Sequence, residues 1–237
     1  DPSRITTAVV MDDDGTIRHV PTYVTTRDGR SYAVVNSLTN SAYALIWHPV
    51  AFRDVIGHWA QAAIDDMGSR LVVRGTGDGR FDPDRGVTRA EFAAMIVRAL
   101  GLKPVTGTSP FPDAPGTSWS SDAPATAHAY GLIDGFEDGS VRPDGKLTRE
   151  QAMVIVSRAM AITGLKEKLP PVEASSALGA FADTSAVSGW ALDGAADSVR
   201  AGIVTGRNGS RLAPQAQVSR AEAATMMQRL LRKSGLI

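Results

Sequence analysis

Two periodicities divide this chain. Before about residue 48, short runs of β-branched and aromatic residues alternate with polar ones. Tyr23-Val24-Thr25, then Asp28-Gly29, then Tyr32-Ala33-Val34-Val35 predicts a β-hairpin, and Ala42 to Trp47 a further strand. From Phe52 the spacing becomes helical. Ala62, Ala63 and Met67 mark one helix, and Phe92, Met95, Ile96 and Leu100 form the apolar stripe of a second.

The helical part says the same thing three times. Trp59, Trp119 and Trp190 are each followed sixteen positions later by a glycine (Gly75, Gly135, Gly206) and twenty-four later by a proline (Pro83, Pro143, Pro214). Thirty positions after each tryptophan stands an arginine: Arg89, Arg149 and Arg220. Each copy opens with an aromatic and an aspartate (Phe52/Asp54, Phe111/Asp113, Phe181/Asp183), and a first helix is expected near its tryptophan. One such unit cannot bury its apolar face alone, so the copies are expected to assemble around a shared core. The second and third arginines lie eleven residues further apart than the first two. Most of the excess falls in the Pro/Ala/Ser-rich stretch Lys166 to Ala180, which reads as a long surface connector.

The start of each second helix follows from its residues. Thr88 with Glu91, Thr148 with Gln151 and Ser219 with Glu222 form capping boxes, in which hydroxyl and Glu or Gln each satisfy a free backbone N–H. Loss of such a cap costs roughly 1 kcal/mol. Those residues are thereby explained. The arginine is not, because a helix N-terminus already carries partial positive charge.

Composition narrows the field of functions. The 25 basic and 25 acidic residues cancel, so no global field attracts nucleic acid or an anionic membrane. No apolar run approaches the ~20 residues that cross a bilayer. The chain has no cysteine, which excludes disulfides, thiol catalysis and Cys-ligated zinc. It starts Asp1-Pro2 and reads as a C-terminal fragment of something longer. Asp12-Asp13-Asp14-Gly15 lacks the later bidentate Glu of a calcium loop and reads as a hairpin turn. His19, His48, His58 and His128 share no metal-ligand spacing, so no metal or cofactor is expected.

The Phe-x-Asp opening, the helix with Trp, the Gly-rich loop ending in Pro and the Thr-Arg-Ala-Glu helix start together resemble the S-layer homology (SLH) family. Three copies match, from Phe52 to about Leu231. The likeness implies a mainly α fold: three repeats in a pseudo-threefold, three-pronged arrangement around a central three-helix bundle, with a small N-terminal β segment. The segment before them resembles what precedes such triplets in Paenibacillus-like, Gram-positive surface proteins. Residues 1–48 are then the end of a preceding domain or a sheet packed on the repeats. Repeats one to three occupy residues 49–105, 106–168 and 169–237.

The resemblance also implies a function: non-covalent attachment to secondary cell wall polysaccharide bearing 4,6-ketal pyruvate on N-acetylmannosamine, outside the cell and at the wall. The isolated module would be monomeric, with no catalytic residue, no nucleic acid and no membrane insertion. The grooves lie between repeats, and the motif arginines Arg89, Arg149 and Arg220 meet the pyruvate carboxylate. Two departures stand out. Copy two has Glu150-Gln151 for Ala-Glu, and copy three runs Gly206-Arg-Asn-Gly-Ser-Arg without the Asp-Gly turn.

The residues support that chemistry on their own terms. A carboxylate would compensate an arginine at a positive helix end, through a bidentate fork and free N–H groups. Gly75, Gly135 and Gly206 would let backbone approach a sugar, and Trp59, Trp119 and Trp190 could stack on its face. Structural readings stand beside these. The arginines could pair with Asp54, Asp113 or Asp183; the tryptophans read better as buried core anchors; the glycines serve turn geometry, and the opening aspartates cap or turn. Two other classes compete. Acid–base chemistry at Asp82 and Asp84 has no supporting motif. A helical scaffold for protein partners is the alternative, but its equal spacing is not seen here.

Overall fold

The computed structural model describes residues 1–12, 15–37, 41–105, 107, 109–116 and 118–237. Asp13 and Asp14 of the Asp-rich turn lie outside them. The named strands all fall before residue 47 and the α-helices after residue 60. Two compact units result. One comprises residues 1–85, 95–103 and 220–237, the other residues 86–94 and 104–219.

In the first unit, β1 (Thr7–Met11) pairs antiparallel with both β2 (Ile17–Val20) and β5 (Tyr43–Ile46), while β3 (Thr22–Arg27) and β4 (Arg30–Val35) make the expected hairpin. Asp28 and Gly29 turn it with φ of 50° and 71°, the left-handed pair that suits a two-residue hairpin loop. Ala8, Val10 and Val20 form the sheet's core, with Val35 and Tyr43 against it. Beyond the turn, Arg18 holds Asp12 through Nε at 3.0 Å and Nη2 at 2.9 Å and donates to the Gly101 carbonyl.

Three elements seat this sheet. These are α1 (Gln61–Ser69), α2 (Arg89–Ala99), whose last residues belong to this unit, and the end of α7 (Arg220–Lys233). Arg70 Nη1 donates to the Thr22 carbonyl at 3.0 Å, His48 Nδ1 lies 3.0 Å from the Ser69 carbonyl, and Asn36 Nδ2 reaches the Leu236 carbonyl at 3.3 Å. Gly101 ends α2 with φ +62°, and a Cβ there would sit 2.9 Å from the His19 carbonyl. Only glycine meets both demands. Asp66 ties α1 to α7 by accepting from Gln228 Nε2 at 2.6 Å and from Arg232 at 3.3 Å.

The second unit holds α3 (Trp119–Ala129), α4 (Arg149–Ile162), α5 (Ala174–Leu178) and α6 (Leu192–Arg200). Gly194 lets α6 lie on α4, since a Cβ there would be 2.8 Å from Val154 Cγ2. The connector differs from its reading as plain surface chain. It folds α5, buries Leu178 completely, and is stapled to α6 by Lys166–Asp197 at 2.8 Å and by an Arg200 hydrogen bond to the Pro170 carbonyl. An apolar leucine within a polar segment is enough to pull the segment inward.

At the heart of this unit, three residues two places before the motif arginines bond in a closed triangle. The Val87 N–H donates to the Val218 carbonyl (2.9 Å), Val218 to Leu147 (3.0 Å) and Leu147 to Val87 (3.2 Å). All three are fully buried. Each strand-like residue satisfies one neighbour and is satisfied by the other, so no buried donor is left over.

Candidate functional site

The helix starts come first, because the arginines sit on them. Both capping boxes described in full are present: Thr88 with Glu91, and Thr148 with Gln151. The next donors are taken too, each by the loop of another repeat. The Arg89 and Ala90 N–H groups donate to Gly145 and Pro143, those of Arg149 and Glu150 to Ala216 and Pro214, and those of Arg220 and Ala221 to Arg85 and Pro83. This accounts for the prolines at fixed offset: their carbonyls receive the second helical N–H. It also corrects an expectation. The N–H groups that were to greet a carboxylate are already occupied by backbone.

The guanidinium groups follow one plan with one exception. Arg149 Nε donates to Leu212 (2.7 Å) and Nη2 to Thr205 (3.0 Å). Arg220 Nε donates to Phe81 (2.8 Å) and Nη2 to Arg74 (2.7 Å). Both side chains are nearly buried, at 3% and 4% exposure. Arg89 keeps the Nη2 bond, to Asp134 at 2.6 Å, but its buried Nε has no partner among the described residues. Burial pushes this guanidinium below its ordinary pKa; Asp134 opposes the shift, and Arg158 and Arg142 reinforce it.

The alternative pairing with the opening aspartates does not form. Asp54 accepts from the Phe81 and Asp82 N–H groups at 2.8 Å each, Asp113 from Val141 (2.9 Å) and Arg142 (2.7 Å), and Asp183 from Leu212 (2.8 Å) and Ala213 (2.9 Å). These aspartates are turn formers. Burial works against ionisation of Asp54 and Asp183, yet their backbone donors and a nearby arginine hold both carboxyls below the usual range. A relay results. Asp183 fixes Leu212, whose carbonyl faces Arg149; Asp54 fixes Phe81, whose carbonyl faces Arg220.

The tryptophans are placed otherwise than expected. Trp59, Trp119 and Trp190 are 65%, 55% and 61% exposed, so they are not core anchors. Phe52 and Phe111 are buried instead. The loop glycines serve those rings. A Cβ on Gly75 would stand 2.6 Å from the Arg80 carbonyl and 3.0 Å from Phe52; on Gly206, 2.7 Å from Phe181; on Gly135, 3.1 Å from Phe111. Copy three's missing Asp-Gly turn is made good by Asn208 and Gly209, with φ of 51° and 79° against 48° and 69° for Asp78 and Gly79.

Several neighbours escaped the sequence reading. Around Arg89 stand Phe136, with Arg89 and Arg142 lying 5.0 and 4.0 Å from its ring centre, and Arg158, paired with Asp134 at 2.6 Å. Ser140, by hydroxyl and N–H, and then Arg142 lower the Asp138 carboxyl to about 2. Copy two's departure also has a job. Glu150 is buried, and its two oxygens accept from the N–H and hydroxyl of Ser188 at 2.9 Å each. A fixed offset could have flagged Arg158, since Arg98, Arg158 and Arg229 each follow a motif arginine by nine. Nothing local marked Phe136. Asp82 and Asp84 have separate partners, Thr76 at 2.7 Å and His58 at 3.3 Å, rather than each other.

Comparison with known proteins adds a family. A family model described as "S-layer homology domain" matches residues 51–93, 110–153 and 180–224, more than half of the chain. The chain is 36% identical over 204 residues to an amylopullulanase of Thermoanaerobacterium thermosulfurigenes, covering 85% of this chain and 10% of that protein. It is 34% identical over 199 residues to an exoglucanase of Acetivibrio thermocellus, covering 83% and 18%. A surface layer protein of Brevibacillus choshinensis is 33% identical over 152 residues, covering 58% and 14%. The chain thus spans between 10% and 18% of the length of these relatives.

Proposed function

The chain belongs to the S-layer homology family, and from that premise we propose that it is a non-covalent cell-wall anchor acting outside the cell. Its ligand in this reading is secondary cell wall polysaccharide carrying 4,6-ketal pyruvate on N-acetylmannosamine. The enzyme names among its relatives belong to proteins of which the matched part is a small share; the module itself carries no reaction. The pseudo-threefold, three-pronged assembly belongs to the same proposal, and the triangle of Val87, Leu147 and Val218 supports it.

The observation that carries the reading is Arg89. Its guanidinium is charged, only partly enclosed, and has a buried Nε–H without an acceptor among the described residues. A buried orphan donor costs on the order of 1–3 kcal/mol, and a carboxylate bonded bidentately would recover it. We assign Arg89 as the principal pyruvate receptor. Arg149 and Arg220, hydrogen-bonded to carbonyls and nearly buried, contribute positive potential more than contact. Trp59, Trp119 and Trp190 offer exposed aromatic faces on which pyranose rings stack. The loop glycines Gly75, Gly135 and Gly206 shape the groove rather than touch the sugar. Where more than one groove engages the same polymer, linkage raises avidity by ~10²–10⁴-fold.

Calorimetric titration with synthetic pyruvylated N-acetylmannosamine tests this directly. Saturable binding that vanishes in Arg89→Ala, and with the sugar lacking pyruvate, is expected. Equal affinity for the two sugars would overturn the assignment.

A further inference from the structure

The loop of the third repeat carries the one Asn-Gly pair in the chain, Asn208-Gly209. The turn it makes is short. The Arg207 N–H donates to the Arg211 carbonyl at 2.7 Å and the Arg211 N–H returns to Arg207 at 3.2 Å, so three residues close it. Asn208, Gly209 and Ser210 are exposed, and a Cβ on Gly209 would meet nothing within 4 Å. Among the described residues, neither the Asn208 side-chain amide nor the Gly209 N–H has a hydrogen bond. Copy two differs on both counts. There the Gly139 N–H donates to the Phe136 carbonyl at 2.8 Å, and the Asp138 carboxylate accepts from the Ser140 N–H at 2.9 Å and from Arg142 at 3.0 Å.

An unoccupied backbone nitrogen directly after a neutral carboxamide is a nucleophile beside its electrophile. Glycine leaves that nitrogen unshielded, having no side chain to guard it. In copy two the same attack would meet a hydrogen-bonded nitrogen and a carboxylate whose charge repels it. We propose that Asn208 is a site of spontaneous modification, deamidated through a succinimide closed with Gly209. The Gly209 nitrogen gives its proton to solvent hydroxide and bonds to the Asn208 Cγ. The amide nitrogen departs as ammonia, taking a proton from water. Water then opens the ring. Cleavage of the new bond to Cγ leaves aspartate, and cleavage between the Asn208 main-chain carbonyl carbon and the Gly209 nitrogen leaves isoaspartate. In sum one water is consumed and one ammonia released, with no change of oxidation state. Aspartate places its charge next to Arg207 in the turn that Arg211 closes, and gives copy three an Asp-Gly pair like Asp78-Gly79 and Asp138-Gly139. Isoaspartate adds a methylene to the main chain of a closed three-residue turn and strains it open. Leu212, whose carbonyl receives Arg149, follows directly on that turn. This site does not depend on the pyruvate reading.

The test is incubation of the folded full chain in mildly alkaline buffer, with samples digested and weighed by mass spectrometry. Conversion is expected in the peptide bearing Asn208, at least tenfold faster than at Asn36, which precedes a serine and donates to the Leu236 carbonyl. The rate should rise with hydroxide, and protein-isoaspartate methyltransferase should label that peptide in aged protein. Gly209→Ala should slow conversion at least tenfold. Asn208→Asp, freshly made, should melt like the fresh parent and stay unlabelled, whereas the isoaspartate-bearing fraction of aged protein should melt lower. Asn208 still intact after a free Arg-Asn-Gly-Ser peptide has converted in the same buffer would sink the site. So would conversion that yields aspartate without isoaspartate, since a succinimide gives both.

Discussion

Arg220 is bound to Phe81 in two ways. Its Nε donates to the Phe81 carbonyl at 2.8 Å, and its guanidinium carbon lies 4.4 Å from the centre of the Phe81 ring. Phe81 is held in turn by Asp54 through its N–H. A motif arginine is thus part of the structure as well as a source of charge, and Arg149 with Leu212 and Asp183 repeats the arrangement. The three arginines, each at the first position of its motif helix, therefore divide in what their loss should do.

Arg149→Ala and Arg220→Ala should each lower stability by about 2–4 kcal/mol, because charge-assisted bonds to buried carbonyls disappear. Arg89→Ala should cost about 1 kcal/mol or less, leave the helical circular dichroism intact, and abolish binding of the pyruvylated sugar. Urea denaturation beside calorimetry checks both halves. Equal destabilisation by all three would refute the division.

Replacing Trp59, Trp119 or Trp190 by alanine should change stability by no more than about 0.5 kcal/mol, as for exposed positions generally. Their fluorescence should respond to added saccharide. A cooperative loss of structure in any of these variants would show that exposure misrepresents the role of the ring.

His19 supplies a pH dependence. It is buried in the sheet, its Nδ1 3.0 Å from Thr7 Oγ1 and its Nε2 without a partner among the described residues. Burial, then the charge of Arg70, lower its pKa to about 3 from 6.5. The unfolded chain therefore binds a proton between those values that the folded chain refuses. Stability is whole above pH 6.5 and falls on acidification by about 1.4 kcal/mol per unit until about pH 3. His19→Leu should flatten that slope in thermal melts recorded across the range.

Gly206→Ala places a Cβ 2.7 Å from the Phe181 ring and 3.1 Å from the Arg211 carbonyl. Overpacking of this kind costs about 1–3 kcal/mol. Gly131→Ala, where only a φ of +69° opposes the side chain, should cost about 1 kcal/mol. Comparison of the two melting temperatures separates collision from backbone strain.

Local chemistry was legible without coordinates. The capping residues announced α2, α4 and α7 to the residue, because a cap is satisfied within three positions of itself. The hairpin at Asp28-Gly29 and the threefold recurrence were equally plain, and so was the family. The sequence alone thus determined where α2, α4 and α7 begin and that the chain repeats. What only tertiary structure decided are relations between distant residues. Arg220 meets a carbonyl 146 positions away and Arg89 one 45 away. The expected helix-end N–H groups turned out to be filled, the tryptophans faced outward while Phe52 and Phe111 went in, and the Arg89 Nε had no partner among the described residues. Side-chain type states what a residue can bond to; which partner it reaches depends on where other repeats place their backbone, and no local pattern encodes that.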